Sequence, residues 1–173
     1  RVEVDPGRVR RRVDERYLSF AIDTSAVVGG KWWDPEASGA ELGSGTVEAP
    51  VFDFDRPRLV TLAKALAPAY LRIGGSEADK LRYAATARPA PRTEVASVLE
   101  MDQWDAVHRF ATWAGLDVVM TLNAGPTARD DRGAWRPESA EGLIAYTAAR
   151  GDRVAIWELG NELNLFWYVH GLS

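Results

Sequence analysis

Val154-Ala155-Ile156-Trp157 runs straight into Glu158-Leu159-Gly160-Asn161-Glu162, and this junction constrains the fold more than any other part of the chain. The apolar lead reads as a parallel strand covered on both faces. Side chains alternate along a strand, so Glu158, Gly160 and Glu162 are expected on one face, with Gly160 leaving room between two acids. In a barrel of parallel strands the chemistry sits at the carboxyl ends, where Asn161 and Glu162 fall. A polar Asn-Glu pair also closes ordinary loops, and the aromatic run Phe166-Trp167-Tyr168 just beyond favours a binding site over a plain turn.

A strand–helix rhythm precedes this junction. Residues 17–23 form a short, mostly apolar strand with Asp23 at its tip. Asp55-Arg56-Pro57 opens a helix with proline in its first turn; Leu59, Leu62, Ala63 and Leu66 give its buried face, and Pro68 ends it. Residues 70–73 are the second strand, stopped by Gly74-Gly75, where missing side chains let backbone approach a ligand closely. From Asp102 a helix sets Trp104, Val107, Phe110, Ala111 and Ala114 on one face, with Gly115 as its stop. His108 falls beside that face and reads as surface. Residues 116–122 are the third strand, and Asn123 at its tip either bonds a ligand hydroxyl or closes the turn. Residues 137–150 form the third helix, capped by Gly151, before the fourth strand.

The intervening segments lack a period. Residues 2–13 read as one or two exposed strands about the turn Asp5-Pro6-Gly7. Residues 27–51, rich in Gly, Ser and Trp, read as loop, and Ala87-Arg88-Pro89-Ala90-Pro91-Arg92 as an extended linker. Arg72 stands out, because an arginine inside an apolar strand needs a partner if buried. Alternation places it with Gly74, facing either the barrel interior near Glu158 or outward under a helix.

Composition narrows the classes. The net charge of −4 does not supply the basic patch that nucleic acid demands. Arg8, Arg10, Arg11 and Arg12 read as solvated charge, whereas Arg129, Arg132 and Arg136 follow a barrel strand and are candidates for a substrate-facing loop. The absence of cysteine removes disulfides and thiolate zinc sites, and no run approaches the roughly 18 apolar residues of a membrane helix. No phosphate-binding glycine loop, paired-histidine metal motif or Ser-His-Asp order is present, so neither metal nor cofactor is expected.

Three blocks, in order, carry a resemblance: Leu18-Ser19-Phe20-Ala21-Ile22-Asp23; Leu66-Ala67-Pro68-Ala69-Tyr70-Leu71-Arg72-Ile73-Gly74-Gly75-Ser76; and Trp157-Glu158-Leu159-Gly160-Asn161-Glu162, reinforced by Gly115-Leu116-Asp117 and Leu122-Asn123-Ala124. Together they resemble heparanase and its bacterial relatives, glycoside hydrolases that cleave β-linked glucuronic acid. The resemblance implies an α/β fold: strands one to four of a (β/α)₈ TIM barrel over residues 17–173, with residues 1–16 a strand lead-in to a β-sandwich. A full barrel needs roughly 250 residues, so the chain is expected to be the N-terminal half.

By the same resemblance Glu162 is the acid/base, Asn161 contacts the sugar 2-hydroxyl, and Arg72 supports the carboxylates. Asp23, Gly74, Gly75, Ser76 and Asn123 are substrate contacts. The nucleophile, on strand seven, lies past Ser173, and a second chain carrying the remainder is the expected partner. The chain opens at Arg1 rather than Met, as a trimmed product would, and the implied setting is secreted or periplasmic. Activation by excising the short linker at residues 87–92 is not expected. Lys31-Trp32-Trp33 either stacks on sugar rings or plugs the loop. The implied activity is a retaining endo-β-glucuronidase acting on heparan sulfate or a related polymer. An exo-acting enzyme on small glucuronides and a non-catalytic glycan-binding fragment are the alternatives.

Overall fold

The computed structural model describes residues 5–33, 46–85 and 97–172. In chain order the strands are β1 (Phe20–Asp23), β2 (Gly30–Trp33), β3 (Thr46–Ala49), β4 (Ala69–Gly74), β5 (Arg82–Tyr83), β6 (Val98–Leu99), β7 (Leu116–Leu122) and β8 (Val154–Leu159). The helices are α1 (Thr24–Val28), α2 (Pro57–Lys64), α3 (Met101–Ala114), α4 (Glu138–Ala149) and α5 (Phe166–Val169). Short 3₁₀ turns occupy Glu15–Leu18, Ser76–Lys80, Pro126–Ala128 and Leu163–Leu165. No helix among the described residues is long and apolar enough to cross a membrane.

Four strands form one sheet in the order β1-β4-β7-β8, all neighbours parallel. This is a parallel-sheet α/β fold consistent with part of a TIM barrel. Alternation sorts each strand into two faces. Leu71 and Ile73 are fully buried on one face of β4, while Arg72 between them faces the other way. The buried face joins Val118 and Met120 of β7 to Trp104, Val107 and Phe110 of α3 and Leu143 of α4. Within this core Trp104 Nε1 donates to Thr147 Oγ1 at 2.9 Å, satisfying its one polar atom.

The helix ends follow local chemistry. Glu100 and Gln103 bond reciprocally across the first turn of α3, and Gly115 closes it in the left-handed conformation at φ 72°, which glycine adopts without steric cost. Pro57 occupies the first turn of α2 after Arg56 at the cap. The helix expected at residues 137–150 is flanked by Pro137 and Arg150 as its two caps.

Three expectations are corrected. Residues 5–13 carry no strand; a strand needs a neighbour to complete its ladder, and this exposed, arginine-rich stretch has none among the described residues. The lead-in is held instead by Arg16, whose Nε donates to Asp117 Oδ2 at 2.8 Å and whose guanidinium lies 5.5 Å from the Tyr70 ring centroid. The span read as loop, residues 27–51, begins with the last two residues of α1 and contains an antiparallel ribbon of β2 and β3; side chains 31–33 and the linker at 87–92 lie outside the described residues. His108 is not surface. It is buried, edge-on to Trp104 at 4.6 Å, and its Nε2 has no hydrogen-bond partner. Burial pushes its pKa down against the pull of Asp152 and Asp105, and Arg150 pushes it the same way.

Candidate active site

The carboxyl ends of β1, β4, β7 and β8 bring the candidate residues to one rim. Register does this: Asp23 of β1 pairs with Gly74 of β4, and Thr121 of β7 pairs with Glu158 of β8. Arg72 reaches across the sheet, its Nε donating to Glu158 Oε2 at 2.7 Å and its Nη2 to Asn161 Oδ1 at 3.1 Å. Thr121 Oγ1 donates to the same Glu158 oxygen at 2.7 Å. Thr121, fully buried, was not singled out from sequence. The Arg72–Glu158 pair is about one-third exposed on each side, so it is a half-buried pair and not the fully desolvated one that an apolar strand suggests. Gly74 leaves the space this arginine needs, since a Cβ there would collide with Thr121 Oγ1 and Arg72 Cζ.

Glu162 reaches the rim by a turn, not by alternation. β8 ends at Leu159, and the Gly160 amide donates to the Leu122 carbonyl at 2.9 Å. Gly160 adopts φ 75°, tightly enclosed by Leu163, Ala124 and Phe166. Glu162 then takes φ 49°, ψ 52°, a left-handed conformation that a non-glycine residue holds only where its surroundings enforce it. Its side chain is exposed and makes no capping bond to the 3₁₀ turn that follows. The carboxylate is therefore presented to solvent from a strained corner beside Asn161.

Residues 2–167 match glycosyl hydrolase family 79, N-terminal domain. The chain belongs to that family. It is 30% identical to heparanase-like protein 3 of Arabidopsis thaliana over 87% of this chain and 30% of that protein. It is 30% identical to heparanase of Mus musculus over 92% of this chain and 34% of that protein. It is also 26% identical to inactive heparanase-2 of Mus musculus, over 93% and 34% of the two chains. This family 79 chain thus spans about a third of the length of these curated relatives. It is a heparanase-family glycoside hydrolase sequence.

Other candidate residues of the family 79 rim turn out to be tied up internally. Asp23 caps α1, its Oδ1 accepting from both the backbone and the hydroxyl of Ser25 at 2.9 Å. Gly75, at φ 101°, lies against Asp23 Oδ2, so close that a Cβ would collide with it; the paired glycines accommodate protein side chains. Asn123 commits both amide hydrogens, to the Leu81 carbonyl at 2.6 Å and Thr127 Oγ1 at 2.8 Å, and its Oδ1 accepts from Gly125 N–H. The bond from Gly125 closes the turn after β7. Ser76, half-buried, opens the 3₁₀ turn beyond Gly75. Arg129 bonds the carbonyls of Ala124 and Gly133 within its own loop, and Arg136 pairs with Asp130; Arg132 and Arg136 are both exposed.

Sequence reasoning also missed Asp79. It is fully buried, with Oδ1 accepting from Ala124 N–H at 3.0 Å and Oδ2 from Asn161 N–H at 2.9 Å. Burial raises its pKa, opposed by those two backbone bonds and by His170 and Arg129. In the run Ser76-Glu77-Ala78-Asp79-Lys80 it looks like one more loop acid, and no periodic signal separates it from Glu77.

Proposed function

We propose that this chain supplies the acid/base half of a retaining endo-β-glucuronidase acting on heparan sulfate or a related uronic polymer. The observation that carries the reading is Glu162, exposed at the end of β8, next to an asparagine whose amide is oriented by Arg72. In the glycosylation step a second carboxylate, outside this chain and about 5–5.5 Å away, attacks the anomeric carbon. As the glycosidic C–O bond breaks, Glu162 gives its proton to the departing oxygen. In the second step Glu162 removes a proton from water, which attacks the same carbon and frees the nucleophile. Ser76 is the contact we assign to the substrate from the β4 loop. A polymer substrate suits a secreted or periplasmic protein, and we read residues 1–16 as a lead-in from a β-sandwich, latched to the sheet by Arg16.

Product size tests the reading. Full-length protein incubated with heparan sulfate is expected to yield shorter chains by size-exclusion chromatography. Release of free glucuronic acid from an otherwise uncut polymer would instead mark an exo enzyme. The likeness to an inactive relative favours one further alternative, and retained polymer with no product would establish glycan binding without turnover.

Asn161 has a separate signature. Its Oδ1 is held by Arg72, which turns the amide nitrogen outward as a donor to the sugar 2-hydroxyl. That bond strengthens as the oxocarbenium-like state develops. Asn161→Ala is therefore expected to lower kcat by about 10- to 10²-fold with little change in KM. A rise in KM alone would remove the 2-hydroxyl role.

A further inference from the structure

Asp79 lies outside the chemistry assigned above, yet it is an ionisable side chain with no exposure. Its two oxygens face two different loops: one takes the N–H of Ala124, just after β7, and the other the N–H of Asn161, just after β8. The residue itself sits in the 3₁₀ turn after β4. One carboxylate thus clasps the ends of three adjacent strands at the rim. Gly125 is part of the fit, because a Cβ there would collide with the Asp79 carbonyl oxygen. Asn161 is therefore pinned twice, by Arg72 on its side chain and by Asp79 on its backbone, immediately before the left-handed corner at Glu162.

We infer that Asp79 is a positioning residue that sets the pose of the Asn161–Glu162 corner through the Asn161 amide. The inference rests on the acid/base reading of Glu162. An anionic carboxylate suits the task because it is acceptor-only. Two N–H groups can converge on it with no competing donor, and bonds from ionised acceptors are about twice as strong as neutral ones. The charged groups acting on it are His170, whose Nε2 lies 4.0 Å from Oδ2, and Arg129. Neither of them bonds the two amides that Asp79 holds.

Asp79→Asn is the discriminating variant. It keeps the shape but replaces one acceptor by an NH₂ that opposes one of the two N–H groups. In the full-length protein, hydrogen exchange is expected to accelerate at Ala124 and Asn161 while the β7 interior stays protected. Turnover per folded molecule is expected to fall about 10- to 10²-fold, the cost of slight misplacement, with KM nearly unchanged. A scaffold-only role would lower Tm and the folded yield without changing kcat per folded molecule, and that result overturns the inference. If Asp79→Asn does not fold, Asp79→Glu retains both acceptors on a longer stem. Reduced kcat at near-parental Tm in that variant supports positioning, and parental kcat overturns it. Glu162→Gln run alongside separates the two readings. If Glu162→Gln turns over normally, the acid/base assignment fails while the exchange result still decides the clasp, since undiminished Asn161 protection in Asp79→Asn would refute it.

Discussion

Glu162→Gln in the full-length protein is expected to lower turnover of the natural polymer by about 10²–10⁴-fold, the usual contribution of a positioned general acid or base. Glutamine keeps the size of the side chain and removes only the proton that is passed. An activated leaving group needs less protonation, so its glycosylation step should lose less. Azide, which attacks the anomeric carbon without needing a proton removed, should restore the second step. The melting temperature should stay near that of the parent, because the side chain is exposed and caps nothing. Near-normal cleavage of the polymer by the variant would refute the assignment.

Arg72→Ala should cost both activity and stability. Its guanidinium serves Glu158 and Asn161 at once, and its removal leaves Glu158 with only the Thr121 hydroxyl among these contacts. Losing hydrogen bonds to a charged group costs about 1.5–3 kcal/mol. Full burial would raise the penalty to about 3–5 kcal/mol, but the roughly one-third exposure of both side chains screens the pair. Freed from Arg72, the Asn161 amide rotates, and misplacement alone should reduce turnover by up to about 10²-fold. Glu158→Ala should resemble it in thermal melting. Should Arg72→Ala melt like the parent while losing activity, the arginine acts on the reacting groups and not on the scaffold.

Much of this frame is legible because strands and helices repeat. The third barrel strand falls at the expected residues 116–122, and Gly115 marks the end of α3 as glycine stops do. Arg72 and Glu158 are 86 residues apart, yet their meeting follows from alternation, since each lies on a strand whose apolar partners fix its face. Asp79, by contrast, reaches Ala124 and Asn161 across 45 and 82 residues from an irregular turn, where no period tells which way a side chain points. Asn123 and Asp23 were readable as polar tips of strands. Whether such a tip faces ligand or closes its own loop depends on carbonyls and hydroxyls elsewhere, at Leu81 and Ser25. His108 was misplaced because its position falls beside the apolar stripe of α3, and the spacing does not tell that its ring turns edge-on to Trp104 one turn earlier. Glu162 was placed at the right end of the sheet for an incomplete reason, because a left-handed corner, not strand alternation, presents it.

The strand order β1-β4-β7-β8 also says something about assembly. Each strand of this sheet lies beside the sheet strand that came before it in sequence, so the sheet extends in the order in which the chain leaves the ribosome. The newest strand is always the growing front. In this chain that front is β8, with Ile156 and Leu159 still exposed, a surface suited to templating the next strand and equally ready to capture a wrong one. The Arg72 bridge to Glu158 locks the front to the strand two places behind it. The contact that orders the candidate site therefore also ties the newest strand of the sheet to one already in place.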